Sequence, residues 1–361
     1  MTDRLKLLKK RLNLSKTESF LVSNPINIFY LAGYGDLSDE KDFWLLITSK
    51  TNYLLTDPRY SSSVKPSLDF RLLEITKDRI LAQAIKKVLQ DLKIQTLGFE
   101  DKGLSFFEFR KFKEALKPAE LKPFGDPIES LRQIKNKEEV VKIQKAAGIA
   151  DLAFNHILGF IKPGLTEEDI ALMLEIFMRK SGADGISFPP VVAFGKNSAI
   201  PHHQTGKTLI QSPGILLLDF GARFQGYCSD LTRTIFLGKP PGELQKRYEL
   251  VLAAQNKVLV QVKAGMKAYE ADGIVRRVFR ENGCEEKFLH SSGHGVGLSV
   301  HEGFALSPQN QTILQKGMVF TVEPGLYFPD WGGIRIEDLV LTGKDGVKRI
   351  SQSPVEMIVL S

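Results

Sequence analysis

Past residue 128 the same order of elements occurs twice, and this repetition constrains the fold more than any other feature of the sequence. In each copy a long amphipathic helix precedes a glycine, a second helix and another glycine 18 residues after the first. The glycine pairs are Gly164 with Gly182 and Gly265 with Gly283. A histidine region follows in each copy, and then a glycine opens an apolar strand that ends in an acid. The repetition predicts that residues 129–361 form two pseudo-symmetric α+β halves that face one another.

Residues 1–128 have a different pattern, in which short apolar strands alternate with amphipathic helices. The run FWLLITSKTNYLLT predicts two strands separated by a polar turn, and RILAQAIKKVLQDL has helical periodicity. The segment LKPFGDPIES, with two prolines and a glycine, is typical of a connector. Beyond it, Asn136 and Glu139 form a capping-box pattern that opens the long helix of the first half. We therefore expect an α/β domain over residues 1–128 and an α+β domain over residues 129–361.

Composition and charge exclude several classes of protein. The 49 Lys and Arg residues outnumber the 42 Asp and Glu residues, but the two signs are interspersed, which favours solubility over nucleic-acid binding. No apolar stretch approaches the roughly 18 residues of a membrane span, and the charged N-terminal segment lacks the apolar core of a signal peptide. Cys228 and Cys284 have no metal-motif spacing and cannot form a disulfide framework. These features predict a cytoplasmic protein that binds neither nucleic acid nor membrane.

Two aspartates, Asp219 and Asp230, lie eleven residues apart in LLLDFGARFQGYCSDLTRTIF. Their midpoint falls at Phe224–Gln225, just before Gly226, where a hairpin turn would place the two carboxylates roughly opposite each other across paired strands. The strands that lead to them are strongly apolar, so both acids are expected to lie inside the protein. Burying two carboxylates without a partner costs several kcal/mol each, so something positive is expected between them.

The second half repeats this arrangement in FTVEPGLYFPDWGGIRIED, where Glu323 and Glu337 stand on either side of a turn around Asp330–Trp331. Arg233 and Arg335 could neutralise the acids as ordinary salt-bridge partners. Two matched hairpins beside a glycine-flanked histidine favour another explanation, because four carboxylates and one imidazole can hold two divalent ions. An oxygen-dominated set favours Mn²⁺, Co²⁺, Fe²⁺ or Mg²⁺. Two ions about 3.5–4 Å apart can activate a bridging water and polarise a carbonyl, which predicts a metal-assisted hydrolase.

Four segments carry a resemblance to a known family: HSSGHGVGLSVHE, LLLDFGARFQGYCSDLTRT, VFTVEPGLY and GGIRIED. Together they resemble the pita-bread metallopeptidases, which include prolidase, aminopeptidase P and methionine aminopeptidase, with the non-peptidase creatinase as a relative. Earlier in the chain, NPINIFYLAGY, LLTDPRY and LRQIKNKEEV resemble the creatinase-type N-terminal domain of prolidase and aminopeptidase P. The resemblance covers almost the whole chain. It implies a creatinase-type domain with a mixed sheet and helices, followed by a pita-bread catalytic domain.

Carried over position by position, the resemblance implies a set of five metal ligands. Asp219 would bind one metal ion, while Asp230 and Glu337 would bridge both. His294, in GHGVG, and Glu323 would complete the shell of the second ion. Glu323 would also act in catalysis, by handling the proton that moves to the leaving amine.

Three further residues would act on the substrate. His202, in AIPHH, matches the family's Pro-His position and would lie near the scissile bond. His301, in VHE, would contact the substrate carbonyl and help to stabilise the oxyanion. Arg335 shares strand parity with Glu337 and would support a ligand or bind a substrate carboxylate. One departure is visible, because Phe304 stands where the family usually has a proline, in a loop expected to border the substrate pocket.

The resemblance implies a dinuclear metal-dependent peptidase that cleaves Xaa-Pro bonds, either as a dipeptidase of the prolidase type or as an aminopeptidase of the aminopeptidase P type. The creatinase-type first domain argues against methionine aminopeptidase, and the retained ligand positions argue against creatinase. An alternative from another class is a non-catalytic pita-bread protein that binds peptides. The implied cofactors are two divalent ions, Mn²⁺ or Co²⁺. The implied partners are proline-containing di- or oligopeptides and a second copy of the chain in a homodimer.

Overall fold

The computed structural model of the chain describes residues 3–15, 18–35 and 40–361. The chain divides into two compact units, Met1–Arg132 and Gln133–Ser361. Among the described residues, no helix is long and apolar enough to cross a membrane.

The first unit is an α/β structure built on one mixed sheet. Its helices are α1 (Asp3–Leu12), α2 (Pro25–Ala32), α3 (Pro58–Ser61), α4 (Leu81–Asp91), α5 (Phe106–Ala115) and α6 (Glu129–Arg132). Its strands are β1 (Glu18–Val22), β2 (Phe43–Thr48), β3 (Tyr53–Thr56), β4 (Arg71–Glu74), β5 (Thr96–Glu100) and β6 (Glu120–Phe124). The strand order is β4-β3-β2-β1-β5-β6. The pairs β1–β2 and β2–β3 are antiparallel, whereas β3–β4, β1–β5 and β5–β6 are parallel.

The predicted elements of this unit are confirmed. The run FWLLITSKTNYLLT forms β2 and β3, and every residue of β2 is buried, as expected for a strand with apolar side chains on both faces. The helical run forms α4, whose buried side chains Ala84, Ile85, Val88 and Leu89 recur at helical spacing. They pack with residues of β1, β2, β3 and β5 in one hydrophobic core.

The second unit contains two pairs of helices and several small sheets. Its helices are α7 (Lys137–Leu158), α8 (Glu167–Lys180), α9 (Gly242–Gln261) and α10 (Ala268–Glu281), with 3₁₀ turns at Gly195–Ala199 and Glu285–Lys287. Its strands are β7 (Gly185–Ile186), β8 (Val191–Phe194), β9 (Gly214–Phe220), β10 (Ala222–Phe224), β11 (Tyr227–Cys228), β12 (Leu231–Leu237), β13 (Val319–Val322), β14 (Gly325–Phe328), β15 (Gly332–Arg335), β16 (Asp338–Thr342), β17 (Val347–Arg349) and β18 (Ile358–Leu360). The sheets follow the orders β11-β10-β7, β18-β12-β9-β8, β13-β16-β17 and β14-β15.

The two halves of this unit match, as the repetition predicted. The helices α8 and α10 each have 14 residues, and each follows a turn glycine with positive φ, +96° at Gly164 and +93° at Gly265. Glycine adopts such angles easily, whereas other residues are strained there. This explains why both halves have a glycine at this turn. One hydrophobic core joins α7 and α8 to β9 and β12, and a second joins α9 and α10 to β13 and β16. The long helix α7 begins at the predicted capping box of Asn136 and Glu139.

The register of the first hairpin corrects the prediction by one residue. The turn residues are Gln225 and Gly226, with φ of +46° and +83°, and two positive φ values are typical of a two-residue hairpin loop. The centre of the hairpin therefore lies after Gln225 rather than before it. As a result, Asp219 pairs with Thr232 across β9 and β12, and not with Asp230.

The register of the second hairpin agrees with the prediction. Val322 pairs with Asp338, and Gly325 pairs with Arg335, which keeps one register through both pairs of strands. Glu323 and Glu337 lie between these pairs at matching positions. The turn falls between Phe328 and Gly332, around the predicted residues.

Candidate metal centre and active site

The eight residues predicted as metal ligands or substrate-contacting groups all lie around one cavity of about 280 Å³ in the second unit. The lining includes His202, Asp219, Asp230, His294, His301, Glu323, Arg335 and Glu337. Phe188, Val191, Val300 and Ala305 also line the cavity, so polar groups converge inside partly apolar walls. This combination is typical of small-molecule and catalytic sites.

Three side chains at the cavity are close enough to share one ion. A ligand atom of each of Asp230, His294 and Glu337 lies within 4.8 Å of the other two. Glu323 joins this group, because its Oε1 lies 3.5 Å from Nε2 of His294. Asp230 and Glu337 are buried. Acids from both hairpins, Asp230 from the first and Glu323 and Glu337 from the second, therefore lie around one histidine.

The contact of His294 with Gly295 favours the tautomer in which Nε2 can act as a metal ligand. Nδ1 of His294 lies 3.3 Å from the carbonyl oxygen of Gly295, which can only accept, so Nδ1 carries the proton. Burial, together with the nearby His301, lowers the pKa of His294 to about 3, so the ring is neutral. The Nε2 lone pair then faces Oδ2 of Asp230 at 3.5 Å, across a gap in which two electron-rich atoms repel each other. A cation between them would turn this repulsion into two ligand bonds.

The carboxylates carry more negative charge than their surroundings neutralise. Burial raises the pKa of Asp230 and of Glu337 well above the ordinary range, and the neighbouring carboxylates raise both further. Burial also raises the pKa of Glu323 to about 7. Among the described residues, Oδ1 of Asp219 and Oδ1 of Asp230 are buried with no hydrogen-bond partner. Oxygen donors that repel one another and lack hydrogen bonds fit divalent cations.

Arg335 neutralises part of this charge at one side of the cavity. Its Nη2 donates to Oδ2 of Asp219 at 2.6 Å, and its Nη1 donates to the hydroxyl of Tyr327 at 2.8 Å. The tyrosine hydroxyl lies 2.7 Å from Nε2 of His290. Nδ1 of His290 lies 2.7 Å from the carbonyl oxygen of Ser291 and so carries that ring's proton, which makes the tyrosine the donor to Nε2. The chain of bonds fixes Asp219 and His290 relative to each other.

A second polar contact fixes Glu337. The hydroxyl of Thr232 donates to Oε2 of Glu337 at 2.6 Å and accepts a hydrogen bond from Nε of Arg335 at 3.1 Å. Arg233, the other cation considered as a salt-bridge partner, instead donates to Asp338 at 2.7 Å and to the carbonyl oxygen of Glu337 at 2.6 Å. Arg233 therefore holds the main chain beside the cavity rather than its carboxylates.

The histidines expected to act on the substrate reach the cavity from two loops. The His301 ring lies 4.0 Å from that of His294, measured between centroids, and partial burial lowers the pKa of His301. His202 is exposed in the turn after the 3₁₀ helix Gly195–Ala199. The loop that contains Phe304 borders the cavity as expected, since Ala305 lines it. The Phe304 side chain itself is buried against Phe320 in the hydrophobic core.

Two residues that support the site were not singled out in the sequence, namely Thr232 and Tyr327. Strand alternation could have indicated Thr232, which lies two residues after Asp230 and therefore on the same face. His290 precedes the GHGVG loop, but its contacts depend on Tyr327, which lies on a different element.

Comparison with known families agrees with this site. The model of metallopeptidase family M24 matches residues 141–344, and that of the creatinase/prolidase N-terminal domain matches residues 4–134. The chain belongs to metallopeptidase family M24. It is a metal-dependent hydrolase with a creatinase-type first domain and a pita-bread catalytic domain, as the sequence motifs predicted.

The similar M24 proteins match along nearly their whole length. The chain is 34% identical to an Xaa-Pro dipeptidase of Pyrococcus furiosus, over 99% of this chain and 100% of that protein. The structure of an Xaa-Pro dipeptidase from Bacillus anthracis matches with a TM-score of 0.94 at 37% identity, over 99% of both chains. That of an X-Pro aminopeptidase from Thermotoga maritima matches with a TM-score of 0.89 at 34% identity, over 97% of this chain and 100% of that one. None of these matches favours the non-catalytic alternative.

Proposed function

We propose that this M24 enzyme hydrolyses Xaa-Pro peptide bonds in di- or oligopeptides, with two divalent ions, Mn²⁺ or Co²⁺, as cofactors. One observation carries the proposal: four carboxylates and Nε2 of His294 meet in one cavity, with more negative charge than Arg335 neutralises. The relatives named as Xaa-Pro dipeptidase and X-Pro aminopeptidase support the substrate class.

The proposed metal ligands are Asp219, Asp230, His294, Glu323 and Glu337. An oxygen-rich set with a single imidazole suits Mn²⁺ or Co²⁺ better than a structural zinc site, which is rich in sulfur or histidine. Bound divalent ions supply a Lewis acid and a nucleophilic water at neutral pH. The protein's own contribution is to fix the carboxylates in place, which Arg335 does for Asp219 and Thr232 does for Glu337.

Glu323 is proposed to move the proton from the attacking water to the leaving amine. Burial raises the pKa of this carboxyl group to about 7, which supports a role in accepting a proton. His301 is proposed to hydrogen-bond the substrate carbonyl, and His202 to support the departing proline nitrogen, which has no N–H of its own. Arg335 is proposed to bind substrate as well as to support Asp219.

We propose that this chemistry takes place in the predicted catalytic domain, residues 129–361, since every residue assigned to it lies beyond residue 200. Residues 1–128 are proposed to form the other domain, the creatinase-type N-terminal domain. The enzyme is further proposed to be a cytoplasmic homodimer. The cytoplasmic assignment is supported by two buried cysteines that are not disulfide-bonded. Light scattering coupled to size-exclusion chromatography tests the dimer, and a monomeric mass would refute it.

The substrate proposal is tested with a panel of peptides in the presence of Mn²⁺ or Co²⁺. Ala-Pro and Ala-Pro-Ala should be cleaved, whereas Ala-Ala and Ala-Ala-Ala should be cleaved much more slowly. Preference for the dipeptide would indicate a dipeptidase, and preference for the tripeptide an aminopeptidase. Equal rates on the proline and alanine peptides would contradict the proposed specificity. Exhaustive chelation, checked by elemental analysis, should abolish the activity, and added metal should restore it.

A further inference from the structure

Glu167, the first residue of α8, has a carboxylate that is fully buried outside the cavity lining. Its Oε1 accepts hydrogen bonds from the N–H of Phe194 at 2.7 Å and from Nδ2 of Asn197 at 2.9 Å. Its Oε2 lies 2.9 Å from Nε2 of His203 and accepts the N–H of Gly206 at 3.1 Å. Four donors thus converge on one carboxylate.

These four donors belong to a single segment, residues 194–206, which we call the His202 loop. It begins at the end of β8 and passes through the 3₁₀ helix Gly195–Ala199 before it reaches His202. Main-chain bonds join the far side of this loop to the start of α8, because Glu167 N–H donates to Thr208 and Glu168 N–H donates to Gly206. The loop is therefore fastened to α8 on both sides of His202.

The hydrogen bond between Glu167 and His203 distinguishes the roles of His202 and His203. A carboxylate ion can only accept, so Nε2 of His203 is the donor and its ring faces Glu167. The His203 side chain is only 13% exposed, whereas its neighbour His202 is exposed and lines the cavity. His203 thereby helps to hold the turn in which His202 is presented.

Because Glu167 is buried, its substitution would deprive the four donor groups of their hydrogen-bond acceptor. Replacing the carboxylate by an amide turns one acceptor oxygen into an NH₂ group, which faces donors and leaves some of them unpaired. An unpaired buried N–H group costs free energy. The His202 loop would therefore shift until these N–H groups found other acceptors. A displacement of about 1 Å at a catalytic group can lower a rate by roughly 100-fold.

We infer that Glu167 is a positioning residue that sets the place of His202 at the cavity by anchoring residues 194–206 to α8. The inference rests on the proposed function, because it takes His202 as the group that acts on the Xaa-Pro bond. It makes two statements that can be tested separately: Glu167 orders the His202 loop, and it affects the rate only through His202.

The kinetic test is a double-mutant cycle between Glu167→Gln and His202→Ala, measured on an Ala-Pro substrate with metal-loaded enzyme. In the wild-type background, Glu167→Gln should lower kcat by roughly 10- to 100-fold, with little change in KM and in metal content. In the His202→Ala background, the same substitution should cause no further loss of kcat. An equal loss in both backgrounds would overturn the inference, because a merely structural residue would act in each. An unchanged kcat in the wild-type background would also overturn it.

Glu100→Gln provides a matched control. Glu100 is a buried carboxylate that likewise accepts N–H groups, from Ser23, Asn24 and Asn27, but it belongs to the first unit and does not line the cavity. This variant should keep its kcat in both backgrounds. If Glu167→Gln does not fold, His203→Ala takes its place in the cycle, with a smaller loss of kcat that should also vanish in the His202→Ala background.

The structural test is hydrogen exchange on the metal-loaded protein without substrate. Glu167→Gln should speed the exchange of the amides of Phe194 and Gly206, while amides of α10 should exchange at the wild-type rate. Unchanged protection of those two amides would overturn the anchoring role. This readout needs no turnover. If the wild-type enzyme cleaves no Xaa-Pro peptide, the proposed function fails while the anchoring of the loop is still tested.

Discussion

At the scale of single residues, contacts in the structure distinguish the roles of histidines that the sequence alone could not tell apart. His294 presents a lone pair to Asp230 and Glu323, which suits a metal ligand. His301 and His202 line the cavity beyond it, where they could meet a substrate. His156, by contrast, stacks on Phe177 with ring centroids 4.1 Å apart and belongs to the packing of the first helix pair.

These differences predict distinct effects of alanine substitution. His294→Ala should lower both metal content and rate, because the proposed ligand set loses its single nitrogen donor. His202→Ala and His301→Ala should keep the metal and the fold but lose about 10²–10³ in kcat, the usual loss for a donor that acts in the transition state. Elemental analysis and steady-state kinetics on the three variants measure both quantities. Full metal content in His294→Ala would contradict the assignment of His294 as a ligand. As a control, His203→Ala should be far more active than His202→Ala.

Thr232 allows a sharper test of how the ligands are held. Thr232→Val keeps the shape but removes the hydroxyl that links Glu337 to Arg335, so metal should bind more weakly, by roughly tenfold. Thr232→Ser should restore most of the affinity. Thr234→Val is the matched control, because Thr234 lies on the same strand as Thr232 and its hydroxyl bonds, among the described residues, to the main chain of Arg335 alone. Calorimetric titration with Mn²⁺ measures the affinities, and equal affinities for both valine variants would show that the hydroxyl of Thr232 is unimportant.

At the scale of elements, the sequence predicted the existence of strands and helices better than their register. The runs that became β2, β3 and α4 carry their own periodicity, and Asn136 marks the start of α7, since these signals are local. The first hairpin shows the limit, because its register depends on whether Gln225 accepts a positive φ, which side-chain type alone does not decide. For the same reason the sequence could name the acids of the site but not Thr232 or Tyr327, whose roles arise from contacts between distant strands.

The junction between β5 and α2 predicts a pH-dependent stability. Burial raises the pKa of Glu100 to about 7 from its ordinary value of 4.5, against the hydrogen bonds from Ser23, Asn27 and Asn24, which lower it. The folded protein therefore binds this proton more tightly than the unfolded chain does. The stabilisation is fully present below about pH 4.5 and is lost as the pH rises through about 7.

Urea unfolding of the metal-free protein between pH 5 and 8 measures this effect. The wild-type free energy of unfolding should fall with rising pH more steeply than that of Glu100→Gln, whose amide does not titrate. The difference between the two profiles isolates Glu100 from the carboxylates of the cavity, which are common to both proteins. Parallel profiles would mean that Glu100 has the same pKa in the folded and unfolded states.

At the scale of the whole molecule, the repetition after residue 128 predicted the architecture because each half must bury the apolar face of its own helix pair. It also predicted that acids from both halves meet, and residues of both halves line one cavity. The first half supplies Asp219 and Asp230, and the second half supplies His294, Glu323 and Glu337. Bound metal would therefore link the two halves of the catalytic unit to each other as well as activate the substrate.

This linkage predicts that metal stabilises the fold. Without metal, burial raises the pKa of Asp230 and of Glu337, and repulsion from the neighbouring carboxylates raises both further. Metal that binds only the folded state adds about 2.7 kcal/mol of stability at a free concentration of 100 times Kd, which raises the Tm of a domain of this size by roughly 5–10 °C. Calorimetry with Mn²⁺ and with chelator measures the shift, and Glu337→Gln, which loses one of the proposed ligand carboxylates, should show much less of it. A wild-type Tm that stays constant from chelator to saturating Mn²⁺ would mean that no ion joins the halves, because ligands drawn from both hairpins cannot bind a cation without holding those hairpins together.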